Sequence, residues 1–454
     1  MKHNKYEIDM CNGPLLKKIL LFSLPLMLSG ILQLLFNAAD VVIVGRFAGA
    51  HALAAVGSTT SLINLLINVF MGLSVGTNVM TARYLGTNDE KGVGELVHTS
   101  LLLAFVSGVV LIFIGFFLSE PILSLMGTPD DVLDQAVLYM RVYFTGMPVV
   151  MVYNFGYAVF RAIGDTRRPL YYLTIAGILN VVLNILFVTQ FNMGVAGVAA
   201  ATVISQALSS VLLLRALAKT DACYKFVLKK LAIKKKQLFM IIRVGLPAGI
   251  QGSLFSISNV LIQSSVNYFG TIVMAGNAAA SNIGNFQYTA MNSFYQTAIS
   301  FVSQNFGAGK FERIKRIAFL CIACVSVTGI VLGIVAFVFG ENLLGIYSTE
   351  PEVIKFGLIR LSMIGLPYFM AGIMDVLVGC IRGMGYSVVP MIASLIGVCG
   401  LRIVWIFSIF QRYKTLEVLY LSYAVTWTVT ALCHFIFLLY IYRKNCVLNN
   451  NYNK

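Results

Sequence analysis

Twelve apolar segments of membrane-spanning length leave this chain little choice of fold. They fall near residues 15–45, 52–80, 94–119, 132–157, 169–189, 194–216, 237–268, 276–302, 316–340, 353–378, 389–410 and 416–442. A transmembrane helix needs roughly 20 mostly apolar residues. Hydrocarbon offers no partner for backbone N–H and C=O groups, so each segment must satisfy its own as an α-helix. The 454 residues are 58% hydrophobic and 11% charged, whereas soluble proteins carry about 25% charged residues. The fold class expected is an all-α, multi-pass integral membrane protein. The first segment exceeds the roughly 7–15 apolar residues of a signal peptide, so it reads as a retained span.

The net charge of +15 is distributed against a nucleic-acid partner. Lys2, Lys5, Lys17 and Lys18 precede span 1, and Arg161, Arg167 and Arg168 follow span 4. The stretch between spans 6 and 7 runs through Lys219, Lys225, Lys229, Lys230, Lys234, Lys235 and Lys236; Lys310, Arg313, Lys315 and Arg316 join spans 8 and 9. With twelve spans all of these share one side, and acids such as Asp130, Asp131, Glu350 and Glu352 sit on the other. Positive loops stay inside, so both termini are expected in the cytoplasm and the chain in the cell membrane. None of the eight cysteines lies in an outer loop, so no disulfide framework is implied. The Cys321–Cys324 pair lies in a span without a His or Cys neighbour and reads as packing.

The chain repeats itself. FSLPLMLSG at 22–30 resembles VGLPAGIQG at 244–252, and FRAIGDTRRP at 160–169 resembles IRGMGYSVVP at 381–390. Matches at one offset, 221 or 222 residues, signal a duplication. Six spans per copy is an even number, so the copies are parallel, related by an axis along the membrane normal. This predicts an N-terminal lobe over 1–218, a basic cytoplasmic linker over 219–236 and a C-terminal lobe over 237–454, around a central cleft.

The stretch Ile19–Arg46 is the pivot of that plan. It is apolar except for Pro25 and one carboxylate, Asp40. Proline removes a helix hydrogen bond, and a charge within a span is costly enough to imply a cavity or a partner. Asp40 lies about 9 Å below Arg46 at roughly 1.5 Å per residue. Asn184 and, one turn deeper, Asn180 on span 5 sit at similar depth, as does Thr202 on span 6. Oxygen-bearing groups of this kind suit protons and hard cations. Asn and Thr also link membrane helices by plain hydrogen bonds, and depth alone does not fix rotation.

The proline-bearing first span with its aspartate, the NVVLN stretch of span 5, the GVAGVAAAT entry to span 6 and the tandem repeat together resemble the multidrug and toxic compound extrusion (MATE) transporters. The resemblance covers nearly the whole chain. It implies that Asp40 is the cation-coupling residue, with Asn180, Asn184 and Thr202 completing the set, and Pro25 a hinge. The family often has Asp where this chain has Asn184, which weakens the case for Na⁺ and favours H⁺. Some relatives carry a glutamate on span 7; here it holds amides, Gln251, Asn259, Gln263 and Asn267.

The second lobe has one acid within its spans, Asp375, read either as an ion pair with Arg402 or as a substrate-recognising group. Gln33, Asn37, Asn64, Asn68, Tyr139, Tyr143, Asn282, Gln287 and Asn292 are the cavity candidates, since aromatic faces attract organic cations. His51, His98 and His434 have no nucleophile or metal partner in sequence and read as structural. The expected function is secondary antiport: export of amphipathic, mostly cationic organic compounds in exchange for H⁺, or else Na⁺, with no other cofactor and no catalytic residue. The partners are small organic molecules and membrane lipid, and the chain is expected to act as a monomer. A flippase for lipids or lipid-linked oligosaccharides would want more cations lining the cleft. An intramembrane enzyme would want clustered catalytic groups. No GxxxxGK[ST] motif for ATP is present.

Overall fold

The computed structural model describes residues 6–452; Lys2 and Lys5, counted above with the basic residues before span 1, lie outside them. The described residues form helices joined by loops, with no strand among them, and the long helices coincide with the twelve apolar segments. Ten are long and apolar enough to cross a membrane, and an eleventh span is the bent pair Asp130–Thr145 and Met147–Ala162. The twelfth, Thr271–Gly307, has the length, 37 residues, but carries Asn277, Asn282, Asn285, Gln287 and Asn292 along it.

Span 4 departs from the single helix expected over 132–157. It breaks at Gly146 and turns by 51°. Pro148, at the start of the second piece, has no N–H to continue the ladder. A Cβ on Gly146 would lie 2.4 Å from a Val203 methyl, so the break lets span 4 press against span 6.

Two compact units result. The first comprises the segment up to Asp9 and Leu28–Gly249; the second comprises Met10–Met27 and the chain from Ile250 onward. These bounds differ from the lobes read off the repeat. The N-terminal part of span 1 (Leu15–Ile43) packs with the second unit, and the N-terminal part of span 7 (Lys235–Asn267) packs with the first. Each helix changes unit shortly after its proline, Pro25 or Pro247.

In the first unit the N-terminal half of span 7 crosses span 2 (Ala50–Gly86) on paired small residues. A Cβ on Gly72 would fall 2.1 Å from the Gly249 nitrogen, and one on Gly76 would fall 2.3 Å from the Ile241 oxygen. Gly72–Gly76 and Gly245–Gly249 are both GxxxG pairs, the spacing that lets membrane helices touch backbone to backbone. The 219–236 segment folds onto the N-terminal end of span 3 (Glu90–Leu125). Lys234 N donates to Thr99 Oγ1 at 3.2 Å, Thr99 Oγ1 donates to the Ala232 carbonyl at 3.2 Å, and Val227 N donates to His98 Nε2 at 3.0 Å.

In the second unit the N-terminal segment is tied to the turn between spans 8 and 9. Lys310 Nζ donates to the Cys11 carbonyl and to Asn12 Oδ1, Arg313 to the Gly13 carbonyl, and Asn305 to the Met10 carbonyl. Phe22 meets Phe301 edge-on at 5.4 Å.

Candidate functional site

The four residues at matching depth in the first unit are brought together. Asn184 Nδ2 donates to Asp40 Oδ1 at 2.5 Å and to Asn180 Oδ1 at 3.2 Å. Asn180 Nδ2 in turn donates to Thr202 Oγ1 at 3.4 Å, and that hydroxyl donates to the Val198 carbonyl at 3.0 Å. One polar chain thus links spans 1, 5 (Arg167–Ile185) and 6 (Gly194–Ala218). Asn184 is fully buried and Asn180 nearly so; Asp40 and Thr202 are half-buried.

Two local features position this chain. Gly177, one turn before Asn180, faces the Phe36 ring so closely that a Cβ would lie 1.8 Å from it. Only a residue without a side chain lets spans 1 and 5 approach this near. Beyond the site, span 1 continues as a π-helical turn, Val44–Ala48, and span 5 does the same over Leu186–Gln190. Such turns recur at functional sites. They begin four residues after Asp40 and two after Asn184, and nothing in the apolar sequence marks them.

The donors and acceptors do not balance. Asn184 spends its amide nitrogen on both neighbours, while its own Oδ1 is buried without a partner. An unpaired buried acceptor costs about 1–3 kcal/mol. The arrangement suits an ionised Asp40, which only accepts. A protonated Asp40 has a hydroxyl to donate, and rotation of the Asn184 amide would present Oδ1 to it. A hard cation held by Asp40 would satisfy the same oxygen.

Tyr139 and Tyr143, one turn apart on span 4, stack at 6.0 Å. Gln33 donates to Asn37 Oδ1 at 3.2 Å, one turn above it on span 1. Asn64 and Asn282 are exposed, and Asn68 is half-buried.

Gln287 departs from the cavity reading. It is buried, and its Nε2 donates at 2.9 Å to the carbonyls of both Gly329 and Gly365. It ties three spans together, so its polarity is consumed by packing. Asn292 donates to the Tyr288 hydroxyl at 3.4 Å.

Asp375 and Arg402 do not pair. Arg402 is held over the Tyr423 ring at 4.2 Å and donates to Asn259 Oδ1 and Thr426 Oγ1, each at 3.4 Å. The guanidinium on Asp375's own helix, Arg382, donates to Tyr295 and Gln251, and Gln251 passes the chain to Ser394 and His434. His434 therefore belongs to a buried hydrogen-bonded network that depth estimates did not reveal. Among the described residues no three His, Cys, Asp or Glu side chains are grouped to hold a metal ion.

Comparison with known proteins agrees with this architecture. The family model MatE matches residues 25–186 and again 247–407, one match per repeat. The probable multidrug resistance protein YoeA of Bacillus subtilis (strain 168) is 30% identical over 435 residues, covering 93% of each chain. YpnP of the same organism, also named a probable multidrug resistance protein, is 29% identical over 87% of this chain and 88% of its own. A solved outward-facing structure of a multidrug resistance MATE family transporter superposes with a TM-score of 0.91 at 22% identity, over 98% of this chain and 99% of that one. Two matches of one family model, and a relative aligned almost end to end, place this chain in the multidrug and toxic compound extrusion (MatE) family of membrane transporters, which are not enzymes.

Proposed function

We infer that the protein is a secondary antiporter that exports amphipathic, mostly cationic organic compounds in exchange for H⁺, as a monomer in the cell membrane with both termini cytoplasmic. The observation that carries this reading is Asp40: one half-buried carboxylate on a proline-bearing span, hydrogen-bonded to a buried amide whose oxygen lacks a partner. Its relatives named as multidrug resistance proteins support the cargo class.

The cycle follows from differential affinity, since a ligand moves a conformational equilibrium only as far as it binds one state better. Ionised Asp40 accepts from Asn184 and favours the arrangement described above. Protonation from outside removes the charge, turns the carboxyl into a donor and makes rotation of Asn184 favourable. Span 1 transmits the change at Pro25, just before the helix passes from one unit to the other. The drug's affinity falls as the acid is neutralised, and it leaves outward.

Na⁺ is the competing ion. It would bind Asp40, Oδ1 of Asn184 and Asn180, and Thr202, with a single carboxylate to offset its charge. Hard cations bind through oxygen, and affinity grows with ligand charge, so one acid favours H⁺. The deciding measurement is ethidium efflux from proteoliposomes under an imposed pH gradient, then under a Na⁺ gradient at equal pH. Efflux driven by pH alone is expected; efflux driven only by Na⁺ would reverse the ion, and response to neither would remove antiport.

A further inference from the structure

The second unit holds a small cavity that the coupling cycle does not use. Its volume is about 50 Å³, and Ser281, Asn285, Arg360, Tyr368, Tyr423 and Trp427 line it. At ~10–15 Å³ per water this is room for roughly three to five waters, the footprint of one carboxylate or sulfonate group. Its walls are aromatic. Tyr288 stacks on Tyr368 at 6.2 Å, and Tyr368 on Trp427 at 5.1 Å; Tyr423 meets Trp427 at 5.3 Å, tilted by 65°.

The fixed charge around it is positive. Arg360 forms part of the wall and donates one arm to Asn277. Arg402 lies against Tyr423 at 4.2 Å and within 5.9 Å of the Trp427 centroid, with only neutral oxygens as hydrogen-bond partners. Among the described residues neither guanidinium is in an ion pair. A buried guanidinium without a counter-ion is expensive. Asp375, on span 10, is not among the described residues that line the cavity.

The repeat sharpens the contrast. At the 221-residue offset, Thr202 of the coupling set corresponds to Tyr423, and Asn180 to Leu401, the neighbour of Arg402. Where the first unit's set centres on a carboxylate, Asp40, this place in the second holds two guanidiniums, Arg360 and Arg402. π-helical turns adjoin here too, Leu361–Gly365 directly after Arg360 and Leu395–Gly400 shortly before Arg402.

We propose that this cavity is a subsite for the anionic head group, carboxylate or sulfonate, of an aromatic ligand whose ring lies against Tyr423 and Trp427. Arg360 receives the head group; guanidinium matches a carboxylate with two parallel N–H donors. A cationic ligand is disfavoured twice. It meets the like charge of Arg360, and it competes with Arg402 for the quadrupole of Tyr423. The site deepens the exporter reading, and rests on it for the step that carries the ligand across, by extending the cargo to anionic aromatics.

The test uses one ring with three head groups: 4-nitrobenzoate, 4-nitrobenzamide and 4-nitrobenzylammonium, all quenchers of tryptophan fluorescence. The chain has two tryptophans, so Trp405→Phe leaves Trp427 as sole reporter in the full-length protein in nanodiscs. The expected order of affinity is benzoate, amide, ammonium, with at least about tenfold between the first and last. Arg360→Gln should erase that preference. Asn285→Leu, which fills the cavity without touching a charge, should weaken benzoate binding with an unchanged melting temperature. A tighter ammonium, or benzoate affinity unchanged in both variants, overturns the subsite. Ethidium efflux by wild-type proteoliposomes is measured alongside: efflux without the charge order defeats the subsite alone, and the charge order without efflux defeats the antiporter reading while the binding site stands.

Discussion

Asn184 Nδ2 lies 2.5 Å from Asp40 Oδ1, and the oxygen on the same amide has no partner. One side chain therefore serves an ionised Asp40 well and a protonated Asp40 poorly until it turns. A proton taken up by Asp40 would favour a rotation within a packed helix interface, where arrangements are discrete rather than continuous.

Asp40→Asn keeps the shape of the side chain and removes the titration. The variant should reach the membrane at wild-type levels and lose ethidium efflux driven by a pH gradient. Drug-resistance assays in a host lacking its own exporters check this, and full resistance would exclude Asp40 from coupling.

Asn184→Asp adds a second acid beside Asp40. Two carboxylates in contact resist joint ionisation, so a hard cation gains affinity there. Efflux by this variant should become responsive to a Na⁺ gradient at constant pH, while the wild type stays indifferent to it.

If one proton exchanges for one monovalent cation, no net charge crosses. A charge moved through 100 mV is worth ~2.3 kcal/mol, so any imbalance would be conspicuous. Ethidium export should follow the pH difference and ignore a valinomycin-clamped potential at equal pH.

Much of this site was legible before its geometry. Asp40, Asn180, Asn184 and Thr202 could be matched because residue count along a helix gives depth, and a charge in lipid singles out its helix. Depth leaves rotation about the axis open. That is why the sequence leaves Asp375 open between an ion pair with Arg402 and substrate recognition, where the structure packs Arg402 on Tyr423, and why Gln287 reads as a cavity candidate although two carbonyls hold it. The bend of span 4 has a readable trace, Gly146 followed by Pro148. The GxxxG pairs of spans 2 and 7 are equally readable, and they trace where the N-terminal part of span 7 packs. The matching part of span 1 leaves no such trace, because an apolar helix does not encode which neighbour it meets.

The lack of an ion pair between Asp375 and Arg402 can be measured directly. Residues that share no interaction contribute additively to stability, within about 0.5 kcal/mol. Asp375→Asn, Arg402→Met and the double variant, compared by thermal unfolding in detergent, should give additive losses, whereas a buried pair broken from one side would cost about 3–5 kcal/mol and be strongly non-additive.

Gly177 carries the last prediction, because it joins the fold to the site. A Cβ there would overlap the Phe36 ring at 1.8 Å, and Phe36 is one helical turn before Asp40. Gly177→Leu must therefore push span 1 off span 5, which strains the core by about 1–3 kcal/mol and lengthens the Asp40–Asn184 hydrogen bond. Stability and coupling should fall together. Phe36→Ala in the same chain makes room for the new side chain, so the double variant should recover stability and part of the pH-driven efflux. A Gly177→Leu protein as stable and as active as wild type would mean that span 1 reaches its position without this contact.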